Sequence, residues 1–141
     1  MSIDPLGVLI GRWDIVGRSA DADHDNIRGY VEIEPILDGD VLQFTGTMRV
    51  NDATLESLEL VWADPTGGFA AHVYSGPGAP LDYRWDRRGL TVTHAGAGAT
   101  YTGTISEDGS TITGRWQPDP GQPAHAGSAY DSTMVRRTER P

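Results

Sequence analysis

The chain has 141 residues, 38% hydrophobic and 22% charged, with a net charge of −9, eleven basic residues that are all arginine, and no cysteine. That length suits one domain over residues 1–141 with one sizeable core. An acidic surface without basic patches argues against nucleic acid and anionic membranes as partners. The missing cysteine and lysine remove disulfides, thiolate metal sites, cysteine nucleophiles and Schiff-base chemistry.

The opening Met1-Ser2-Ile3-Asp4-Pro5 has neither the basic region nor the apolar stretch of a signal peptide, so a cytoplasmic location is the default expectation. No apolar run approaches the roughly 20 residues of a membrane-spanning helix. Asp4 can cap a helix and Pro5 suits its first position, so one or two turns would lay Leu6, Leu9 and Ile10 over an apolar opening as a plug. From there the dominant period is two, broken at short intervals by Gly, Pro, Asn and Asp, which is an all-β pattern. Strands are expected near 12–18, 27–36, 40–50, 54–62, 68–75, 80–86, 89–94, 99–106, 110–117 and 128–137. Between the first two, Asp21, Asp23 and Asp25 fall at positions 1, 3 and 5 of a calcium-loop count, and Glu32 falls at position 12. Asn26 stands where the sharp turn wants glycine, and Val31-Glu32-Ile33-Glu34 alternates as a strand where a helix should begin, so a solvated hairpin loop is the preferred reading. Asp38-Gly39, Gly67-Gly68, Arg88-Gly89 and Asp108-Gly109 punctuate later apolar runs as tight hairpin turns. Many short strands joined by tight turns protect their edges best by closing, and an up-and-down antiparallel β-barrel of about ten strands is the simplest closure.

Alternation predicts the inward face. Leu81, Tyr83 and Trp85 oppose Asp82, Arg84 and Asp86; Leu90, Val92 and His94 oppose Thr91 and Thr93. Ala99, Tyr101, Gly103 and Ile105 oppose three threonines, and Ile112, Gly114 and Trp116 follow. Earlier, Leu42, Phe44, Met48 and Val50 share a face, as do Leu58, Leu60 and Trp62, so the interior is expected to be aromatic with few polar groups.

Two readings of that interior are open. In one, Tyr83, Trp85, His94, Tyr101, Trp116 and Tyr130 line a lumen for a small apolar or aromatic ligand, with Ala99, Gly103 and Gly114 leaving room. In the other, the same side chains pack a solid core, and the barrel acts as a scaffold through an outer face. If the lumen is catalytic, an isomerase or cyclase is the expected class, with His94 and Tyr101 as its acid/base groups. His94 reads equally well as a satisfied core histidine. No Gly-x-Ser-x-Gly or His-Glu-x-x-His occurs, and histidines 24, 72, 94 and 125 lack close metal-ligand spacing. The carboxylate pairs Glu32/Glu34 and Asp82/Asp86 fall on polar faces, where solvation explains them. No metal or cofactor is implied, and a homodimer is compatible with the sequence.

Gly11-Arg12-Trp13 after a short opening helix, the run of strands, and Met134-Val135-Arg136-Arg137 near the end resemble the calycin superfamily of lipocalin-like barrels. The resemblance implies that Gly11 and Trp13 close the base, with Arg136 or Arg137 packed across the indole. The whole chain is similar to an uncharacterised bacterial family of lipocalin-like domains through Leu9-Ile10-Gly11-Arg12-Trp13, Leu60-Val61-Trp62-Ala63-Asp64-Pro65 and the terminal arginines. It also resembles, more distantly, the haem-binding nitrobindins. Their axial histidine would fall near Tyr130, where there is none, which leaves Tyr130 or His125 as the residues able to ligate haem iron.

Overall fold

In a computed structural model, residues 3–121 and 129–137 are described. After a 3-10 helix, Asp4–Leu9, ten strands follow: β1 Gly11–Ser19, β2 Ile27–Ile36, β3 Val41–Val50, β4 Ala53–Ala63, β5 Phe69–Tyr74, β6 Leu81–Arg88, β7 Thr91–Gly96, β8 Ala99–Ile105, β9 Thr111–Pro118 and β10 Tyr130–Arg136. Every strand pairs antiparallel with its chain neighbours, and β1 pairs with β10, so the sheet is a closed up-and-down barrel with no free edge. The expected hairpin turns form, with Gly89 at φ +59 and Gly109 at φ +74 supplying the left-handed backbone they need. No described helix is long and apolar enough to cross a membrane.

The core collects at the end of the barrel where the 3-10 helix sits. Ile3, Leu6 and Leu9 are buried there against Trp13, Ile33, Leu42, Val61, Val92, Ile105 and Ile112. Fully burying each such aliphatic side chain contributes about 1.5–3 kcal/mol. The plug is also pinned by polar contacts: Trp13 Nε1 donates to the Leu9 carbonyl at 2.8 Å, and Arg87 Nη1 donates to the Pro5 carbonyl at 2.8 Å.

Arg136 stands across this base with its guanidinium 4.3 Å from the Trp13 ring centroid, while donating to the carbonyls of Val8, Ile10 and Gly109. Gly11 has φ +134 and lies under the same guanidinium, so a Cβ there would collide with Arg136 Nη1. Arg137 points outward to Asp14, with Nε 3.2 Å from Oδ2. Of the two terminal arginines, only Arg136 packs on the indole.

Strand β4 departs from the expected parity. Leu58, Leu60 and Trp62 face outward and are half-buried, whereas Glu59 and Val61 are buried inside. The stretch Leu58-Glu59-Leu60-Val61-Trp62 carries apolar residues on both faces, so its own period leaves the face undecided. Pairing with β3 decides it, because Val61 opposes Leu42 and Glu59 opposes Phe44, both of which point into the barrel. Outside, Trp62 rests edge-on against His72 at 4.9 Å. Leu81 and Leu90, also expected inside, are exposed, since Leu81 begins β6 and Leu90 sits in the turn before β7.

Candidate functional site

The half of the barrel away from the plug holds a belt of aromatic side chains. Across β6 to β10 the register aligns Trp85 with His94, His94 with Tyr101, Tyr101 with Trp116, and Trp116 with Tyr130. Residues directly opposite on one face are in side-chain contact. Trp85 stacks on His94 at 3.9 Å and 13°, Trp116 meets His94 at 5.2 Å and Tyr101 at 5.7 Å, and Tyr130 lies 6.4 Å beyond Trp116. Phe44 completes the belt from β3, 5.2 Å from Trp85.

These walls line a half-open cavity of about 170 Å³, so the interior is not packed solid. Trp85, His94, Tyr101, Trp116 and Tyr130 all line it, together with Phe44, Met48, Met134 and other apolar side chains. Tyr83 does not; it stands behind His94 at 5.0 Å, with its ring laid flat over Gly96. Gly103 and Gly114 do not leave room for a guest, because the Tyr101 ring occupies the space where their Cβ atoms would be.

Ser57 and Ser132 also line the cavity, and a carboxylate stands among its apolar side chains. Glu59, 7% exposed, accepts from Trp85 Nε1 at 2.9 Å and stands 2.8 Å from His94 Nε2, both contacts falling on Oε2. Burying a carboxylate is costly unless donors meet it, and here an indole N–H and an imidazole nitrogen do so. The expectation of an interior with few polar groups missed this carboxylate. Its signal was in the sequence: a lone Glu inside the apolar run from Leu58 to Ala63, opposite Phe44 once β3 and β4 are paired.

The three tyrosines carry neutral hydroxyls. Burial raises the Tyr83 phenol, and the Glu59 charge raises it further. Burial also raises Tyr130, reinforced by the neighbouring Tyr101 and Tyr83. For Tyr101 burial raises the phenol and the nearby Ser132 side chain offsets part of the rise. The Tyr101–Ser132 approach lacks hydrogen-bond geometry, however, so Tyr101 Oη has no partner among the described residues although the residue is only 5% exposed. Chemically the lumen therefore offers aromatic faces and a carboxylate joined to an imidazole. A carboxylate holding one imidazole nitrogen fixes the ring's orientation and leaves the other nitrogen for proton exchange.

The first loop is not gathered as a cation site. Asp25 lies 3.2 Å from Arg18, exposed Asp23 pairs with His24, and Glu32 on β2 pairs with Arg12 at 3.0 Å. Among the described residues no three ligating side chains cluster. His125 lies outside the described residues, and Tyr130 turns into the lumen.

No protein-family model and no curated protein matches the chain. Among solved structures, a de novo designed fluorescence-activating β-barrel is similar with a TM-score of 0.53 and 16% identity, over 96% of this chain and 99% of its own. EF1p2_mFAP2b bound to DFHBI is similar with a TM-score of 0.51 and 10% identity, over 94% and 96%. The chain thus shares the fold of these two structures, which in this chain is a closed barrel of ten antiparallel strands.

Proposed function

We propose that this barrel binds a small aromatic molecule in its lumen, between Trp85, His94, Tyr101, Trp116 and Tyr130. The observation that carries the reading is the cavity of about 170 Å³ itself, walled by aromatic and aliphatic side chains around a single carboxylate–imidazole pair. Cavities of roughly 150 Å³ with apolar walls take up benzene, so one substituted ring matches the available space. The two structural neighbours, one fluorescence-activating and the other bound to DFHBI, support a ligand-holding use of this shape. The Gly11-x-Trp13 opening under Arg136 supports kinship with the calycins.

Titration of toluene and indole into isotope-labelled protein, followed by NMR, tests the proposal. Saturable shifts confined to Trp85, His94, Tyr101, Trp116 and Tyr130 are expected. Failure of both compounds to give saturable shifts up to their solubility limits refutes it. Native mass spectrometry of protein from its own host then identifies the resident molecule.

A second reading makes the same lumen the active site of an isomerase or cyclase, and it draws on the Glu59–His94 hydrogen bond at 2.8 Å. Glu59 would orient the imidazole, His94 would move the proton, and Tyr101 would donate to developing charge on oxygen. His94→Ala and Tyr101→Phe should each abolish turnover of the retained molecule while leaving the fold intact. Wild-type rates in both variants end this reading.

A further inference from the structure

We propose that the lumen selects an organic cation: an ammonium group carried on a single aromatic ring, with its N–H donated to Glu59 Oε1. The inference rests on the proposed ligand-binding role and deepens it by fixing the charge of the ligand.

Charge is the first ground. Among the described residues that line the cavity there is no arginine, and Glu59 is the one acidic side chain. The chain has no lysine. Glu59 is 7% exposed, and the two groups that meet it are a neutral indole N–H and the His94 imidazole. Taking an ionised carboxylate out of water is costly, and an opposite charge in hydrogen-bond contact offsets that cost best. No permanent positive charge lines this cavity, so a cationic guest is the complement it lacks.

Position is the second ground. The indole and the imidazole both end on Oε2, and Oε1 has no partner among the described residues. Glu59 belongs to the cavity wall, and Oε1 is not sealed from water, so a guest can reach it. Trp85 and His94, stacked 3.9 Å apart, hold the carboxylate in one orientation before any guest arrives. An ammonium N–H meets such an oxygen better than a neutral donor does, because both ends of the hydrogen bond are then charged.

The walls point the same way. Phe44, Trp116 and Tyr130 line the space around Glu59, and aromatic rings attract a cation as well as packing against the ligand's own ring. The net charge of −9 draws cations toward the protein and repels anions. A volume of about 170 Å³ limits the guest to one ring with a short aminoalkyl arm.

Four probes of similar size separate charge from shape: benzylamine, benzyl alcohol, ethylbenzene and benzoate. Affinities are read by calorimetry at neutral pH, where benzylamine is a cation and benzoate an anion. Salt at about 0.3 M largely screens attraction to the acidic outer surface. Benzylammonium should bind about tenfold tighter than benzyl alcohol, and benzoate about tenfold weaker. In Glu59→Gln the ratio of benzylammonium to benzyl alcohol should fall to about one, while ethylbenzene binds as before and so reports that the variant is folded. The wild-type ranking decides by itself. Benzylammonium no tighter than benzyl alcohol overturns the inference, because the imidazole then supplies the positive charge; lumen binding stands as long as ethylbenzene binds. A preference kept in Glu59→Gln overturns it too, since the cation then sits elsewhere. If none of the four binds, the inference and the binding role fall together.

Discussion

Tyr101→Phe should make the free barrel more stable. The substitution keeps the ring over Gly103 and Gly114 and removes only an oxygen that has no partner among the described residues. An unpaired buried hydroxyl costs about 1–3 kcal/mol, because water solvates it in the unfolded chain and nothing replaces that solvation in the fold. Against this stands the loss of a few dispersion contacts around one atom, each worth only about 0.1–0.2 kcal/mol. A net gain of about 1 kcal/mol follows, which for a chain of this length raises the melting temperature by roughly 2–4 °C. Urea denaturation followed by tryptophan fluorescence gives the same quantity as a shift in midpoint at constant slope. A loss of about 1 kcal/mol or more would refute the reasoning, since it would mean that the hydroxyl is paired in the native state, with Ser132 the obvious acceptor.

Other perturbations test other parts of the structure. Arg136→Ala should destabilise by about 2–4 kcal/mol, because it removes the cation–π contact with Trp13 and charge-assisted bonds to the plug's carbonyls, whereas Arg137→Ala should change stability by less than about 1 kcal/mol; equal effects in urea titrations would contradict the base geometry. Val61→Asp should abolish folding while Leu60→Asp remains folded by circular dichroism, since a β4 slipped by one residue would reverse that outcome. Asp64, held by Arg84 and Thr66, and Asp108, held by Ser110 and Ser106, both have pKa values lowered from 3.8 to about 2. Within that interval the unfolded chain binds more protons than the folded one, so stability falls as the pH drops from the unfolded value through about 2. The double variant Asp64→Asn/Asp108→Asn should flatten this part of the acid-denaturation curve, and an unchanged slope would show that other carboxylates dominate it.

The sequence alone determined the period, the turns and the closure of this protein. Alternation of two over Tyr83–Trp85, Val92–His94 and Tyr101–Ile105 comes from local strand geometry, and glycines such as Gly89 and Gly109 are locally required by left-handed turn backbone. That was enough to bring Trp85, His94, Tyr101, Trp116 and Tyr130 to one wall, because chain-adjacent strands in an up-and-down barrel are also neighbours in space. Only the tertiary structure decided the polarity of the site. Leu58-Glu59-Leu60-Val61-Trp62 carries apolar residues on both parities, and the face it presents depends on a pairing partner, β3, whose register no local pattern within β4 encodes. That register carries Glu59 inward to His94 across 35 residues of chain. The choice of Arg136 over Arg137, the Tyr101 ring folded onto its glycines, and the unpaired Tyr101 hydroxyl have the same origin: each depends on what lies across the barrel.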